Sequence, residues 1–526
     1  MVMLSLVFVL FFGLMVRLVL IAVDDQVQTV GISQGSRTLT VAEVRGTIYD
    51  RNLVPLVNTT NTYYATLLPE ERLLQCIESV TDADEYNRVQ GLMDGGTPLL
   101  ARLNGPAAIS AGIRVYLAPQ RYGDNVLAAH LLGYLDGSGS TGVCGIEKAY
   151  DSVLNQYAGR ITATYSVDGQ GRYVSSNAVQ VRNTAKNYVG GVVTTLDSNM
   201  QKVVEKVATP MIRKGAVVVL DPTSGDILSL ASFPSYDPAD VSGDLVRNDG
   251  ALVNRALSRY DCGSVFKIVT ALAALENGVS SEQTYDCPGS ITVDGTVFHC
   301  HYRLGHQQLS MDEAFAQSCN VYFIQLASQI GADAMLKMAQ TLGLNDQIGL
   351  ADTISAPAAV MPKRSDLSSA PSLANLSFGQ GELLVSPLHI TRMTAVVASN
   401  GTLPEVSAVL GTVDEDGHWT SSDERRGETV ISAHSAQSLR RMMELAVNAG
   451  TGTAASVHGG ASAGKTGTAE TGQVNNGKPV VHSWFTGYYP AEDPQYVITV
   501  LIEDKGNEDA SAAQVFGSIV NSLICD

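Results

Sequence analysis

From Gly191 onward, apolar runs of strand character stand at both ends of the chain and runs of helical character fill the middle, an arrangement that limits the fold more than any other feature. GVVTTLD reads as a strand, Ser198 is placed to cap the helix NMQKVVEKVATPMI, and AVVVLDPTSGDILSLAS is two apolar runs around an Asp-Pro-Thr-Ser-Gly turn. Such a pair is a hairpin. Near the other end, HSWFTGYYP and QYVITVLIED form a second strand pair around Ala491 to Pro494, and a last helix is expected from about Ala510 to Leu523. An antiparallel sheet covered by helices follows, the α+β layering.

Upstream, residues 24 to 190 carry short strand-like, Gly-punctuated runs, a helical-looking stretch from Pro69 to Met93 and the loop GSGSTGVCG; they are expected to form a smaller, non-catalytic domain. Met1 to Val23 are apolar except for Ser5 and Arg17, a length that suits one membrane-crossing helix. A cleaved signal peptide fits less well, since no basic segment leads the apolar run. The expected order is therefore an anchor at 1–23, a pedestal at 24–190 and a larger domain at 191–526. With 45% AVILMFWYC and only 16% DEKR the chain should fold. A net charge of −18 repels phosphate backbones and argues against nucleic acid as a partner.

CGSVFKIVTALAALENG opens a long apolar helix with Ser264 at its start and Gly278 at its stop. Lys267 lies one turn further on the same face, wrapped by Val265, Phe266, Ile268 and Val269. Desolvation lowers an ammonium pKa, and a neutral amine within reach of a hydroxyl can take its proton. Ser318-Cys319-Asn320 precedes a second apolar helix and sets a hydroxyl and an amide where they face a cleft. Lys465-Thr466-Gly467-Thr468 precedes the final strand pair. There a cation, two hydroxyls and a residue without side chain let an anionic extended peptide lie along the edge.

Ser-x-x-Lys, Ser-x-Asn and Lys-Thr-Gly in that order resemble the penicillin-recognising serine acyltransferases. The chain is most similar to class B penicillin-binding proteins, the monofunctional peptidoglycan D,D-transpeptidases, through RGTIYDRN, AAHLLGYLDGSGSTGVCGIEKAYDSVL, LDPTSGDILSLASFPSYDP, GQGELLVSPLH, AGKTGTAE and HSWFTGYYP. Cys262 stands where that family usually has Pro, and Leu53 where it usually has Gly. The resemblance implies Ser264 as nucleophile, Lys267 as base, Ser318 as proton relay and Asn320 as holder of the donor amide. It further implies Lys465, Thr466, Gly467 and Thr468 as the carboxylate-binding strand, and the backbone N–H groups of Ser264 and Thr468 as oxyanion hole. The implied substrates are stem peptides, the implied inhibitors β-lactams, and the implied partner a membrane-embedded glycan polymerase at the outer face of the cell membrane. No cofactor is implied.

Other readings fit the sequence less well. Gly459 to Thr466 spell a phosphate-binding loop, but glycines at 467, 472 and 477 and Pro479 leave no room for the helix such a loop needs. Cys287, His299, Cys300, His301 and His306 cluster in sequence with twelve residues between the cysteines, wider than a zinc knuckle. A Cys287–Cys300 hairpin disulfide is favoured over zinc, with two unpaired thiols as the alternative and no metal expected, and Cys262 and Cys319 are candidates to approach each other. Within the resembled chemistry, a serine β-lactamase or D,D-carboxypeptidase has no need of the 24–190 pedestal. A β-lactam sensor needs a cytoplasmic signalling part, for which the two residues ahead of the apolar run give no space.

Overall fold

The computed structural model describes residues 11–17 and 35–525, apart from 108–109, 175–178, 186–187, 248, 423–424, 476 and 507–509. Of the expected anchor only 11–17 are described, as exposed helix; the rest of Met1 to Val23 lies outside the described residues. Among the described residues no helix is long and apolar enough to cross a membrane.

The chain divides into two compact units. The first takes Val57–Gly123 and Leu154–Gly190 with the residues up to Thr47; the second takes Ile48–Leu56, Asp124–Val153 and Gly191–Asp526. This division departs from the boundary drawn at 190, and local contacts explain why. The Asp50 carboxylate accepts from Ser198 N at 3.1 Å, the Tyr49 carbonyl accepts from Thr194 Oγ1 at 2.8 Å, and Arg51 pairs with Asp226 at 3.4 Å. RGTIYDRN thus contributes turn and ion-pair residues to the second unit.

In the first unit Thr60–Leu67 is the central strand of three, paired on either side with Leu99–Leu103 and Ile113–Gln120. The helix Ala83–Leu92, capped by the Asp82 carboxylate on Glu85 N at 2.8 Å, contributes Val89 to a core with Ala65, Leu67 and Ala101. Ser36–Val44, Gly159–Ser166 and Gln180–Asn183 make a second three-stranded sheet.

The second unit is built on a five-stranded antiparallel sheet in the order Ile227–Phe233, Gly215–Leu220, Tyr496–Ile502, Lys478–Tyr489, Ala463–Asn475. Strands from both ends of the unit meet at its centre, as the sequence pattern requires. Gly215–Leu220 and Val497–Ile502 are buried residue after residue, the mark of strands covered on both faces. On one face Ser198–Ala208 and Ala512–Cys525 pack Met200, Val204, Phe516 and Ile519 onto Val217, Val219, Ile498 and Val500. Asp197 caps the first of these helices, accepting from Asn199 N and Met200 N, where the sequence had pointed to Ser198. Against the sheet also packs Pro387–Ala398, and there a buried hydroxyl chain runs Thr394–Thr486–Thr499 with both links at 2.8 Å. Ala463–Asn475 is left as the edge strand.

Candidate active site

Gly263–Phe266 form a single tight turn that runs directly into the helix Lys267–Glu276, which is buried over its first eight residues. The turn is pressed onto the edge strand. Gly263 has φ +56°, and a Cβ there would meet the Thr468 carbonyl at 2.3 Å; only glycine takes this conformation and this approach together. Gly379 closes the other side, its carbonyl accepting from Gly263 N at 3.0 Å. Ser264 is thereby fixed beside Thr468 at the rim of a cavity of about 750 Å³ lined also by Ser318, Asn320, Thr466 and Gly467.

Ser318 sits between two helices. Met311–Ala316 starts with a capping box between Ser310 and Glu313 and ends at Gln317; Asn320–Thr341 begins after two intervening residues. Ser318 bridges them in the left-handed region at φ +53°, uncommon for a side chain with a Cβ. The turn points its carbonyl and hydroxyl at Lys267, whose Nζ donates to Ser318 O at 2.7 Å, Ser318 Oγ at 3.2 Å and Asn320 Oδ1 at 2.7 Å. The sequence had led us to expect the amine on the Ser264 hydroxyl. Among the described residues no hydrogen bond is made by Ser264 Oγ, and the lysine spends its donors on Ser318 and Asn320.

Lys465, on the edge strand opposite Thr486, donates from Nζ to Ser318 Oγ at 3.0 Å and to the Thr466 carbonyl at 2.9 Å. Both lysines are wholly buried. Their ammonium groups lie over aromatic rings, Lys267 over Phe323 at 5.5 Å and Lys465 over Phe315 at 5.6 Å, which replaces part of the lost hydration. Burial brings the Lys267 pKa down to about 7, against the opposing pull of Cys319 and Cys300. Lys465 is held well below the usual lysine range by burial and by the charge of Lys267. Two ammonium groups sharing one hydroxyl cannot both stay charged without cost.

The structure therefore brings Ser264, Lys267, Ser318, Asn320 and Lys465–Thr468 to one cavity. One contributor escaped the sequence reading: Thr451 Oγ1 bonds Thr466 Oγ1 at 2.6 Å. It follows the helix Ala433–Ala449 in a Thr-Gly-Thr run with no chemical signature. The phosphate-loop reading is excluded, because Lys465 and Thr466 lie in a strand.

All seven cysteines are unpaired thiols. The expected Cys287–Cys300 bond is not formed, and Cys319 meets Cys300, with 3.8 Å between sulfurs, rather than Cys262. The hairpin of Ser290–Val293 and Thr296–His299 does bring the two cysteines to one place, where both sulfurs stand by His306 Nδ1, Cys287 at 3.7 Å and Cys300 at 3.5 Å, as separate thiols.

Comparison with known proteins agrees with this geometry. The penicillin binding protein transpeptidase domain matches residues 215–521. The penicillin-binding protein PbpB of Mycobacterium tuberculosis is 32% identical over 460 residues, covering 81% of this chain and 65% of its own length. The peptidoglycan D,D-transpeptidase PbpA of Mycolicibacterium smegmatis is 30% identical over 459 residues, covering 81% of this chain and 86% of its own. The chain thus spans slightly less than two thirds of the first of these relatives. Among solved structures, penicillin-binding protein 3 of M. tuberculosis complexed with aztreonam superposes with a TM-score of 0.68 at 26% identity, over 93% of this chain and 97% of the other. The chain belongs to the penicillin-binding protein transpeptidase family, in the class B group to which its motifs pointed.

Proposed function

We propose that the chain is a peptidoglycan D,D-transpeptidase that cross-links stem peptides through an acyl-enzyme on Ser264 and is acylated there by β-lactams. The observation that carries this reading is the shared hydroxyl: Lys267 and Lys465 both reach Ser318 Oγ beside Ser264. In the reaction Lys267, neutral in a fraction of molecules near pH 7, takes the Ser264 proton as Oγ attacks the carbonyl between two terminal D-alanines. The oxyanion forms against the backbone N–H groups of Ser264 and Thr468, worth about 3 kcal/mol per donor in comparable sites. Lys465, Thr466 and Thr468 receive the terminal carboxylate. With two acceptor positions occupied by lysine N–H groups, the Ser318 proton is free to be handed to the departing D-alanine nitrogen and is replaced from Lys267. The C–N bond breaks, D-alanine leaves, and the amine of a neighbouring stem peptide attacks the ester and regenerates Ser264.

We also assign the Met1 to Val23 run as a single membrane anchor with the second unit outside the membrane, where the substrate lies. A membrane-embedded glycan polymerase is the expected partner. Incubation with a stem peptide ending in D-Ala-D-Ala and an amine acceptor tests the reaction. Free D-alanine together with an amide product is expected; release of D-alanine with hydrolysed donor alone would move the assignment to a carboxypeptidase or β-lactamase. Acylation with no turnover would move it to a sensor.

A further inference from the structure

We propose that Glu470 sets the donor specificity of this site, favouring stem peptides whose residue ahead of the two terminal D-alanines carries a free ammonium group and disfavouring those with a carboxylate there. This role presupposes the transpeptidase reading and adds the charge of the donor to it. The described lining of the cavity beside Ser264 has the basic residues Arg303 and Lys505 and one acidic residue, Glu470. Glu470 is exposed, and among the described residues its side chain makes no hydrogen bond and no ion pair. An exposed carboxylate is ordinary on a surface; its place on the edge strand is what gives this one a role.

Strand register fixes that place. Ala463–Asn475 pairs with Lys478–Tyr489 without interruption from Ala463 to Glu470, and the register slips only beyond Glu470. Glu470 stands opposite Val481, whose carbonyl accepts from Lys505 N at 2.8 Å on the far side. Val481 thus turns its backbone groups away from the edge strand. Glu470 is therefore in a non-hydrogen-bonded antiparallel pair, and its own N–H and C=O lie on the open edge. Backbone direction alternates along a strand, so the same groups of Thr468 and Thr466 open the same way. Side chains alternate too: Thr466, Thr468 and Glu470 share the less buried face, while Lys465, Gly467 and Ala469 are buried on the other.

A donor whose terminal carboxylate meets Lys465, Thr466 and Thr468, and whose scissile carbonyl meets Thr468 N–H, lies antiparallel to this edge as an added strand. Its upstream residues then run from Thr468 towards Glu470. At about 3.4 Å per residue Glu470 lies about 7 Å beyond Thr468, and the residue ahead of the two D-alanines falls between them. A long side chain on that residue reaches the Glu470 carboxylate diagonally. The strand thus offers a cation and hydroxyls at one end and an anion at the other, the complement of a peptide with a carboxylate tail and an upstream ammonium. An acylated amine loses the contact, and a carboxylate in its place is repelled. Of the three charged lining residues Glu470 alone stands on the strand that the donor pairs with; Arg303 belongs to the loop ahead of Gly305, and Lys505 follows Tyr496–Ile502.

The acyl side chain of a penicillin takes the place of the donor chain ahead of the scissile bond, and three penicillins differ there at one carbon. Ampicillin bears an ammonium, benzylpenicillin a hydrogen and carbenicillin a carboxylate. Acylation of the full chain is timed at about pH 6.5, where an α-amino group is charged, and each rate is divided by that for benzylpenicillin so that a general loss of activity cancels. Wild type should take ampicillin ahead of carbenicillin. Glu470→Gln should lower the relative rate of ampicillin and raise that of carbenicillin, each about fivefold, and Glu470→Lys should reverse their order. Added salt should narrow the wild-type spread. With a peptide donor ending in L-Lys-D-Ala-D-Ala, wild type should release D-alanine faster than from the Nε-acetylated peptide, an advantage lost in Glu470→Gln. Relative rates that are the same in wild type and both variants overturn this specificity alone, whereas no acylation of Ser264 by any of the three penicillins overturns the transpeptidase reading and the specificity with it.

Discussion

Ser318-Cys319-Asn320 separates two buried clusters of opposite chemistry. On one side, two lysines share a hydroxyl above aromatic rings; on the other, three thiols and an imidazole gather within 4.8 Å of one another. The first is assembled from segments far apart in the chain and the second within residues 287–319, yet only the first is readable from sequence as a site. Its members fall in short motifs whose spacing already encodes a shared face, Lys267 one turn from Ser264. The second has no such spacing, since its members are brought together by the close crossing of Gly289 with Gly305 and by the helix cap at Cys319. Side-chain chemistry at fixed local spacing survives reading in one dimension, whereas a site made by tertiary crossing does not.

If the lysine side performs the chemistry, disturbing it should change rate and leave the thiol side intact. Ser264→Ala should abolish covalent labelling by a fluorescent penicillin, a loss of at least ~10³-fold, with alkylation of Cys287, Cys300 and Cys319 unchanged. Lys267→Arg retains a cation that cannot yield a proton and should slow acylation by about 10²- to 10⁴-fold. In the wild type the rate should rise as pH increases through about 7 and then level, because the amine is a base only when neutral. Lys465 from the edge strand and the thiols of Cys319 and Cys300 face this amine, and stopped-flow acylation across pH reads the profile. An Arg variant that keeps the wild-type profile would remove Lys267 from the base role.

Smaller changes sharpen the contrast. Gly263→Ala forces a Cβ to 2.3 Å from the Thr468 carbonyl at φ +56°, and should cost about 1–3 kcal/mol by thermal or urea unfolding while slowing acylation. Thr451→Val removes one hydroxyl from the 2.6 Å pair with Thr466. Steady-state competition should show weaker binding of carboxylate-bearing donors by less than about tenfold, in line with one hydrogen bond of about 1 kcal/mol.

Legibility followed the same division across the fold. The central sheet could be read because fully apolar strands such as Val497–Ile502 and the Asp221 turn are local signals. The membership of Ile48–Leu56 in the second unit could not, since Asp50 and Arg51 carry no mark of their partners Ser198 and Asp226. At the site, motif spacing gave Ser264, Lys267, Ser318, Asn320 and Lys465–Thr468. It did not give the direction of the Lys267 amine, because that depends on the left-handed turn at Ser318. The cysteines were misread for a related reason: the twelve intervening residues form the expected hairpin, while His306 and Cys319, which stand beside Cys300, come from beyond it.

In the proposed reaction the Ser264 hydroxyl is the group that carries the acyl chain. Peptide mapping by mass after a short exposure to penicillin locates that bond directly. The added mass is predicted on the peptide containing Ser264 in wild type and nowhere in Ser264→Ala; an adduct on any other residue, or equal labelling of both proteins, would contradict it.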